Sequence, residues 1–218
     1  MTHREDAATA RSWLFVPGDR PERFEKAVAS GADEVILDLE DAVAEAARPL
    51  ARAEVASWLG EGSAWVRVNG SDTPAHQVDL DAVAACPGLR GVVLAKAEDP
   101  EAVRALRERL PADRGIVALI ESARGLGRID ALAAAGVDRL AFGSVDFALD
   151  IGADHDERAL LFARSSLVVA ARMAGLPGPI DGVSTAVRDA ETTAASTRAG
   201  RSLGFTGKLC IHPAQVAW

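Results

Sequence analysis

Hydrophobic and polar positions divide the chain into short apolar runs, each followed by a turn and then a stretch of helical spacing. The runs are Trp13–Val16, Glu34–Leu39, Trp65–Val68, Gly91–Ala95, Ile116–Ile120, Arg139–Phe142, Pro179–Val183 and Lys208–Ile211. They are continuous rather than alternating, as expected of strands buried on both faces. Helical patterns fill Glu22–Ala29, Pro49–Leu59, Ala75–Ala85, Glu101–Leu110, the interval between runs five and six, Asp156–Ala174 (the longest) and Ala186–Ala199. Pro17-Gly18, Gly31, Asn69-Gly70, Pro87-Gly88 and Gly175–Gly178 supply the breaks, and Asp19 with Pro21 suits a helix start. Met1–Ala10 reads as a flexible polar tail. Residues 11–218 carry no low-complexity linker and read as a single domain.

Strand and helix alternate eight times, which implies parallel strands joined by crossovers and, on closure, a (β/α)₈ TIM barrel. An open doubly wound sheet is the alternative. Its G-x-G-x-x-G fingerprint is missing, because the first turn is Pro17-Gly18-Asp19-Arg20. The sequence stops at Trp218, where an eighth helix would be starting, so the C-terminal helix or extension reads as truncated or absent.

The formal charge of −8 shows no basic nucleic-acid footprint. Cys86 and Cys210 make no C-x-x-C pair, so a reducing cytoplasm is the default compartment. The polar N-terminus lacks the apolar segment of a signal peptide, and no run is long enough for a membrane helix.

Active sites of barrels lie at the carboxyl ends of the strands. Those ends carry Asp19; Asp38, Glu40 and Asp41; Arg67 and Asn69; Lys96 and Glu98; Glu121; Ser144 and Asp146; Asp181; and His212. Such a ring suits a hard divalent cation and a small oxygen-rich acid. Glu121 and Asp146 follow adjacent strands and read either as a metal pair or as helix caps. Arg67, inside an apolar strand, requires a partner: a substrate oxyanion, or Glu40 or Asp41. Alternation prevents Asp38, Glu40 and Asp41 from all facing the site. One or two of them suit water-orienting roles; capping, or pairing with Arg48 or Arg67, is the structural alternative. Lys96 is a weak Schiff-base candidate. His212 reads as a loop residue, His76 as a helix-start residue, and His3 and His155 as solvent residues.

The segments RSWLFVPGDRPERFEKA, VILDLEDAV, VRVNG, LAKAE, ALIESARGL, LAFGSVDF and GKLCIHPAQV, in that order, resemble the citrate lyase beta-subunit-like branch of the HpcH/HpaI aldolase superfamily. The resemblance runs from Arg11 to Val216. It implies a trimeric or hexameric TIM barrel that makes or breaks carbon–carbon bonds between a 2-oxo acid and an acyl-CoA enolate, as malyl-CoA, β-methylmalyl-CoA and citramalyl-CoA lyases do. It implies Glu121 and Asp146 as Mg²⁺ ligands (Mn²⁺ being an alternative) and Arg67 as the contact to the oxo acid. Glu40 and Asp41 are implied to orient water at the metal, and the backbone of Gly143, Ser144 and Val145 to lie beside the substrate carboxylate. Further residues after the I-H-P-x-Q segment are also implied, including an acid–base aspartate. Leu94-Ala95-Lys96 departs from the commoner Leu-Pro-Lys. A CoA-independent class II pyruvate aldolase, a citrate-lyase subunit acting on an acyl-carrier-protein thioester, and a non-catalytic oxo-acid-binding barrel are the competing readings.

Overall fold

The computed structural model describes residues 3–218, apart from the His3 side chain; the expectation for that histidine lies outside the described residues. Eight parallel strands run in chain order and close on themselves: β1 (Ser12–Pro17), β2 (Glu34–Asp38), β3 (Ala64–Val68), β4 (Leu89–Leu94), β5 (Gly115–Ile120), β6 (Arg139–Phe142), β7 (Ile180–Asp181) and β8 (Gly207–Cys210). Closure comes from β8 pairing back on β1, with Trp13 opposite Leu209. This is the TIM barrel that the eightfold alternation implies. The seventh strand is shorter than its apolar run, and a single register pair, Ala141 with Ile180, joins it to β6.

The helices are α1 (His3–Thr9), α2 (Phe24–Val28), α3 (Arg48–Trp58), α4 (Pro74–Val83), α5 (Pro100–Arg109), α6 (Ala123–Leu126), α7 (Ile129–Ala133), α8 (Ser144–Ile151), α9 (Leu161–Met173) and α10 (Ala190–Leu203). The structure differs from the sequence pattern in α8, which the pattern did not mark, in the start of α10 at Ala190 rather than Ala186, and in the three features that follow. The expected tail contains α1, which is tied to the barrel by Arg4 on Asp138 and by Asp6 on Arg90. The helix expected from Asp156 starts at Leu161, because Asp156 Oδ1 accepts the N–H groups of Arg158 and Ala159 and holds a turn there; α10 is therefore the longer helix. Asp19 caps nothing: the 3₁₀ turn Pro21–Arg23 follows Arg20 without a side-chain cap.

The core has two layers. Outward residues of the strands, such as Leu14, Leu37, Val66 and Ile116, pack on the helices. Inward residues Trp13, Ile36, Trp65, Val93, Val117, Leu119, Ala141 and Leu209 fill the barrel, with Ala7 and Ala10 closing its N-terminal mouth. Two glycines make this filling feasible. A Cβ on Gly91 or Gly115 would lie 2.3 or 2.2 Å from the Trp65 ring, far inside van der Waals contact. Trp13 meets Trp65 edge-on, with ring centroids 5.0 Å apart. Below them Arg139 is fully buried and donates to the carbonyls of Ala7, Ala10 and Gly178 and to Thr206 Oγ1. Burial lowers its pKa to about 10. The amino end of the barrel is thus sealed, leaving the carboxyl end for chemistry.

Candidate functional site

Asp38 and Arg67 are register partners on β2 and β3, so their side chains rise together into the carboxyl mouth. The guanidinium engages Asp38 bidentately, Nε to Oδ1 and Nη2 to Oδ2, both at 2.6 Å. Its Nη1 lies 3.1 Å from Glu40 and 3.8 Å from Asp41, and its plane sits over the Phe15 ring at 4.8 Å. Asp38 also accepts the N–H groups of Glu40 and Ala42, each at 3.0 Å, which folds the acidic loop back over its strand. Burial disfavours the Arg67 charge, but Asp38 and then Glu40 outweigh it, and the group is held protonated. Arg67 is therefore ion-paired first to Asp38, with Glu40 second. Arg48, the other partner considered for this loop, has a buried Nε without a partner.

Lys96 Nζ completes the cluster by pairing with Glu40 and lying 3.6 Å from Asp41. Burial acts against its charge, yet the hydrogen bond and charge of Glu40 raise its pKa. A protonated amine is no nucleophile, which speaks against Schiff-base chemistry. The Lys96 backbone is left-handed at φ 47°, a region that side-chain-bearing residues seldom occupy. That turn aims its N–H at Glu121 Oε1, 2.6 Å away.

Glu121 ends β5 and is almost fully buried. Its other oxygen, Oε2, has no hydrogen-bond partner. Burial raises its pKa to about 8; Arg67 lowers it, while Glu40 and Asp146 add to the rise. Asp146, in the first turn of α8, is also raised, by burial and then by Asp41. Ile120 pairs with Phe142 in register, which places Glu121 beside Gly143. A Cβ on Gly143 would fall 2.4 Å from Glu121 Oε2, so only glycine leaves that carboxylate its place. An orphaned buried oxygen with a second carboxylate acting on it fits a hard divalent cation, which supplies the missing partner and favours ionisation. Among the described residues no three Asp, Glu, His or Cys side chains form a metal cluster. With Glu121 and Asp146 as donors, further coordination positions would be left for small oxygen ligands.

Of the other candidates, Ser144 and Val145 open α8 beside Asp146, Ser144 buried and Val145 exposed. Asn69 is structural: its N–H and Nδ2 donate to the buried Asp79, and Nδ2 also reaches Leu39 O. His76 Nδ1 contacts Asn69 O at 2.9 Å. His212 acts as a helix-start cap, accepting from Ala214 N. His155 is exposed, as expected, and its Nε2 also lies 2.9 Å from Ser144 Oγ. Sequence reasoning passed over Arg23 and Lys26, which line a second cavity with Phe15, Pro17 and His212. Lys26 is one of only three lysines in an acidic chain, and that scarcity was the available signal.

A family model described as HpcH/HpaI aldolase/citrate lyase matches residues 11–213. The chain belongs to this family. A citrate lyase subunit beta-like protein of Deinococcus radiodurans is 38% identical, over 96% of this chain and 78% of that protein. A (3S)-malyl-CoA thioesterase of Cereibacter sphaeroides is 36% identical, over 99% and 77%. The crystal structure of the CitE protein of Mycobacterium tuberculosis in complex with magnesium, acetoacetate and coenzyme A superposes with a TM-score of 0.84. It shares 34% identity, over 96% of this chain and 79% of that one. No helix among the described residues is long and apolar enough to cross a membrane.

Proposed function

We propose that this chain is a Mg²⁺-dependent carbon–carbon lyase that cleaves or forms the bond between a 2-oxo acid and the enolate carbon of an acyl-CoA. The observation that carries the reading is the orphaned Glu121 Oε2, with the charges of Asp146 and Arg67 acting on it. The magnesium, acetoacetate and coenzyme A complex of the M. tuberculosis relative supports it.

Glu121 and Asp146 hold the cation, which when bound supplies Lewis-acid polarisation of a substrate oxygen. Arg67 faces its own carboxylates through Nε, Nη2 and Nη1. A guanidinium has five N–H donors, so two remain for a substrate carboxylate or for the oxygen on which charge develops. Asp38 fixes the plane of that fork. Glu40 and Asp41, balanced by Lys96, orient water at the mouth. The N–H groups of Ser144 and Val145 open α8 without helical partners and suit a carboxylate. Arg23 and Lys26, in a cavity of about 430 Å³ beside Phe15, suit the phosphates of CoA. A trimeric or hexameric cytoplasmic enzyme goes with this reading; light scattering tests the assembly.

A second reading, thioester hydrolysis, is favoured by the C. sphaeroides relative. Malyl-CoA separates the two. Acetyl-CoA with glyoxylate marks the lyase, and malate with free CoA marks the thioesterase. Activity should require Mg²⁺ and vanish in Asp146→Ala. Full activity in that variant, or cleavage of the free acid without CoA, would overturn the assignment.

A further inference from the structure

Beside β7, the loop that follows it and Lys208 of β8 lies a cavity of about 390 Å³ whose lining includes none of Glu121, Asp146, Arg67 or Lys96. Arg164 from α9, Asp181 from β7 and Lys208 from β8 line it, and all three are buried. Arg164 donates from Nε and Nη2 to Asp181 at 3.2 and 2.8 Å. Lys208 Nζ donates to the same carboxylate at 3.1 Å and to Ser196 Oγ at 2.9 Å. Two buried cations therefore share one buried anion. Among the described residues Arg164 Nη1 has no hydrogen-bond partner, and the third N–H of Lys208 has none either.

The cluster carries one more positive charge than Asp181 neutralises, and its unused donors belong to side chains that line the cavity, where an anion can complete them. The cluster is held in place from behind: a Cβ on Gly200 of α10 would come within 2.5 Å of Asp181 Oδ2, so the helix presses directly on the carboxylate. The remaining wall mixes hydroxyls, those of Ser144, Ser184 and Thr192, with the apolar side chains of Leu160, Val183 and Ala195. Asp156 and Glu157 lie on the exposed rim, where water screens their charge. The loop after strand seven, residues 182–186 here, is one of the two with which (β/α)₈ barrels build phosphate sites.

We propose that this cavity is a second ligand site, beside the metal-binding rim and sharing Ser144 with it, that takes the oxyanion head of a small polar metabolite. Arg164 Nη1 and Lys208 Nζ bind the head, and the mixed wall receives the remainder of the molecule. A phosphoryl head is favoured by the position; a carboxylate shares the same chemistry.

The test titrates EDTA-treated protein with inorganic phosphate, and separately with acetate, by calorimetry. One phosphate should bind per chain, and Lys208→Gln should weaken it at least about tenfold, the loss expected for one charge-assisted hydrogen bond. Tighter binding of acetate would assign a carboxylate head. Melting curves monitor the fold of the variant. A wild-type crystal soaked in phosphate gives a readout that needs no variant: density between Arg164 and Lys208 supports the site. Binding that survives Lys208→Gln but is lost in Lys26→Ala would place the anion in the other cavity and overturn the proposal. So would an absence of heat together with an absence of density.

Discussion

Asp38→Asn removes one charge from the most buried ion pair of the site without changing its shape. Asp38 accepts two hydrogen bonds from Arg67 at 2.6 Å and two from the Glu40 and Ala42 backbone at 3.0 Å. An asparagine amide turned toward Arg67 would set donor against donor on one side of the fork. Breaking a buried pair costs about 3–5 kcal/mol. Glu40, 3.1 Å from Nη1, still neutralises part of the guanidinium, so the lower figure applies, about 3 kcal/mol. For a domain of this size that is a melting-point decrease of about 6–12 °C. Urea unfolding followed by circular dichroism gives the free energy, and malyl-CoA turnover gives the catalytic effect. Turnover should fall by more than about tenfold, because Arg67 loses its fixed plane and the 39–42 loop loses its anchor. A stability change below about 0.5 kcal/mol with unchanged turnover would refute the claim that Asp38 holds this arginine.

Gly143→Ala should leave the barrel folded yet weaken Mg²⁺ binding, since its Cβ would meet Glu121 Oε2 at 2.4 Å; metal affinity unchanged with melting unchanged would contradict this. Gly115→Ala should do the reverse, costing about 1–3 kcal/mol of stability through overpacking against Trp65, with metal affinity intact by titration. The pH dependence follows from Glu121, whose pKa rises from an ordinary 4.5 to about 8 in the folded chain. The folded form then holds a proton that the unfolded form has lost, so metal-free stability falls as pH rises between those values. The slope from this group is at most about 1.4 kcal/mol per pH unit. Glu121→Gln should flatten that slope in melts recorded with EDTA, and parallel curves for the two proteins would count against it.

The barrel was legible because each strand lies in a short, largely apolar run, with β1, β3 and β6 closed by Gly or Pro and β2 and β5 by an acid. That pattern is local, and a crossover after each strand leaves few topologies. Candidate acids were legible for the same reason, as the residues that end strands. Arg67 inside an apolar strand announced a buried partner, but not which one. The choice of Asp38 over Asp41 depends on the β2–β3 register, which no single segment encodes. The N-terminal helix was hidden because its anchors, Asp138 and Arg90, lie far along the chain. Lys96 likewise gave no sign of its left-handed backbone, which a β4–β5 contact imposes by calling its N–H to Glu121. His155 reads as polar loop in sequence; only folding brings it to Ser144.

The central claim is that Glu121 and Asp146 form a metal site. Calorimetric titration of Mg²⁺ into the protein at pH 8 tests it most directly, because at lower pH a proton on Glu121 competes with the cation. The account predicts one ion per chain, with affinity reduced at least about tenfold in Glu121→Gln and in Asp146→Asn, since each substitution removes a charged oxygen donor. Equal affinity in the wild type and both variants, or no binding at all, would contradict it.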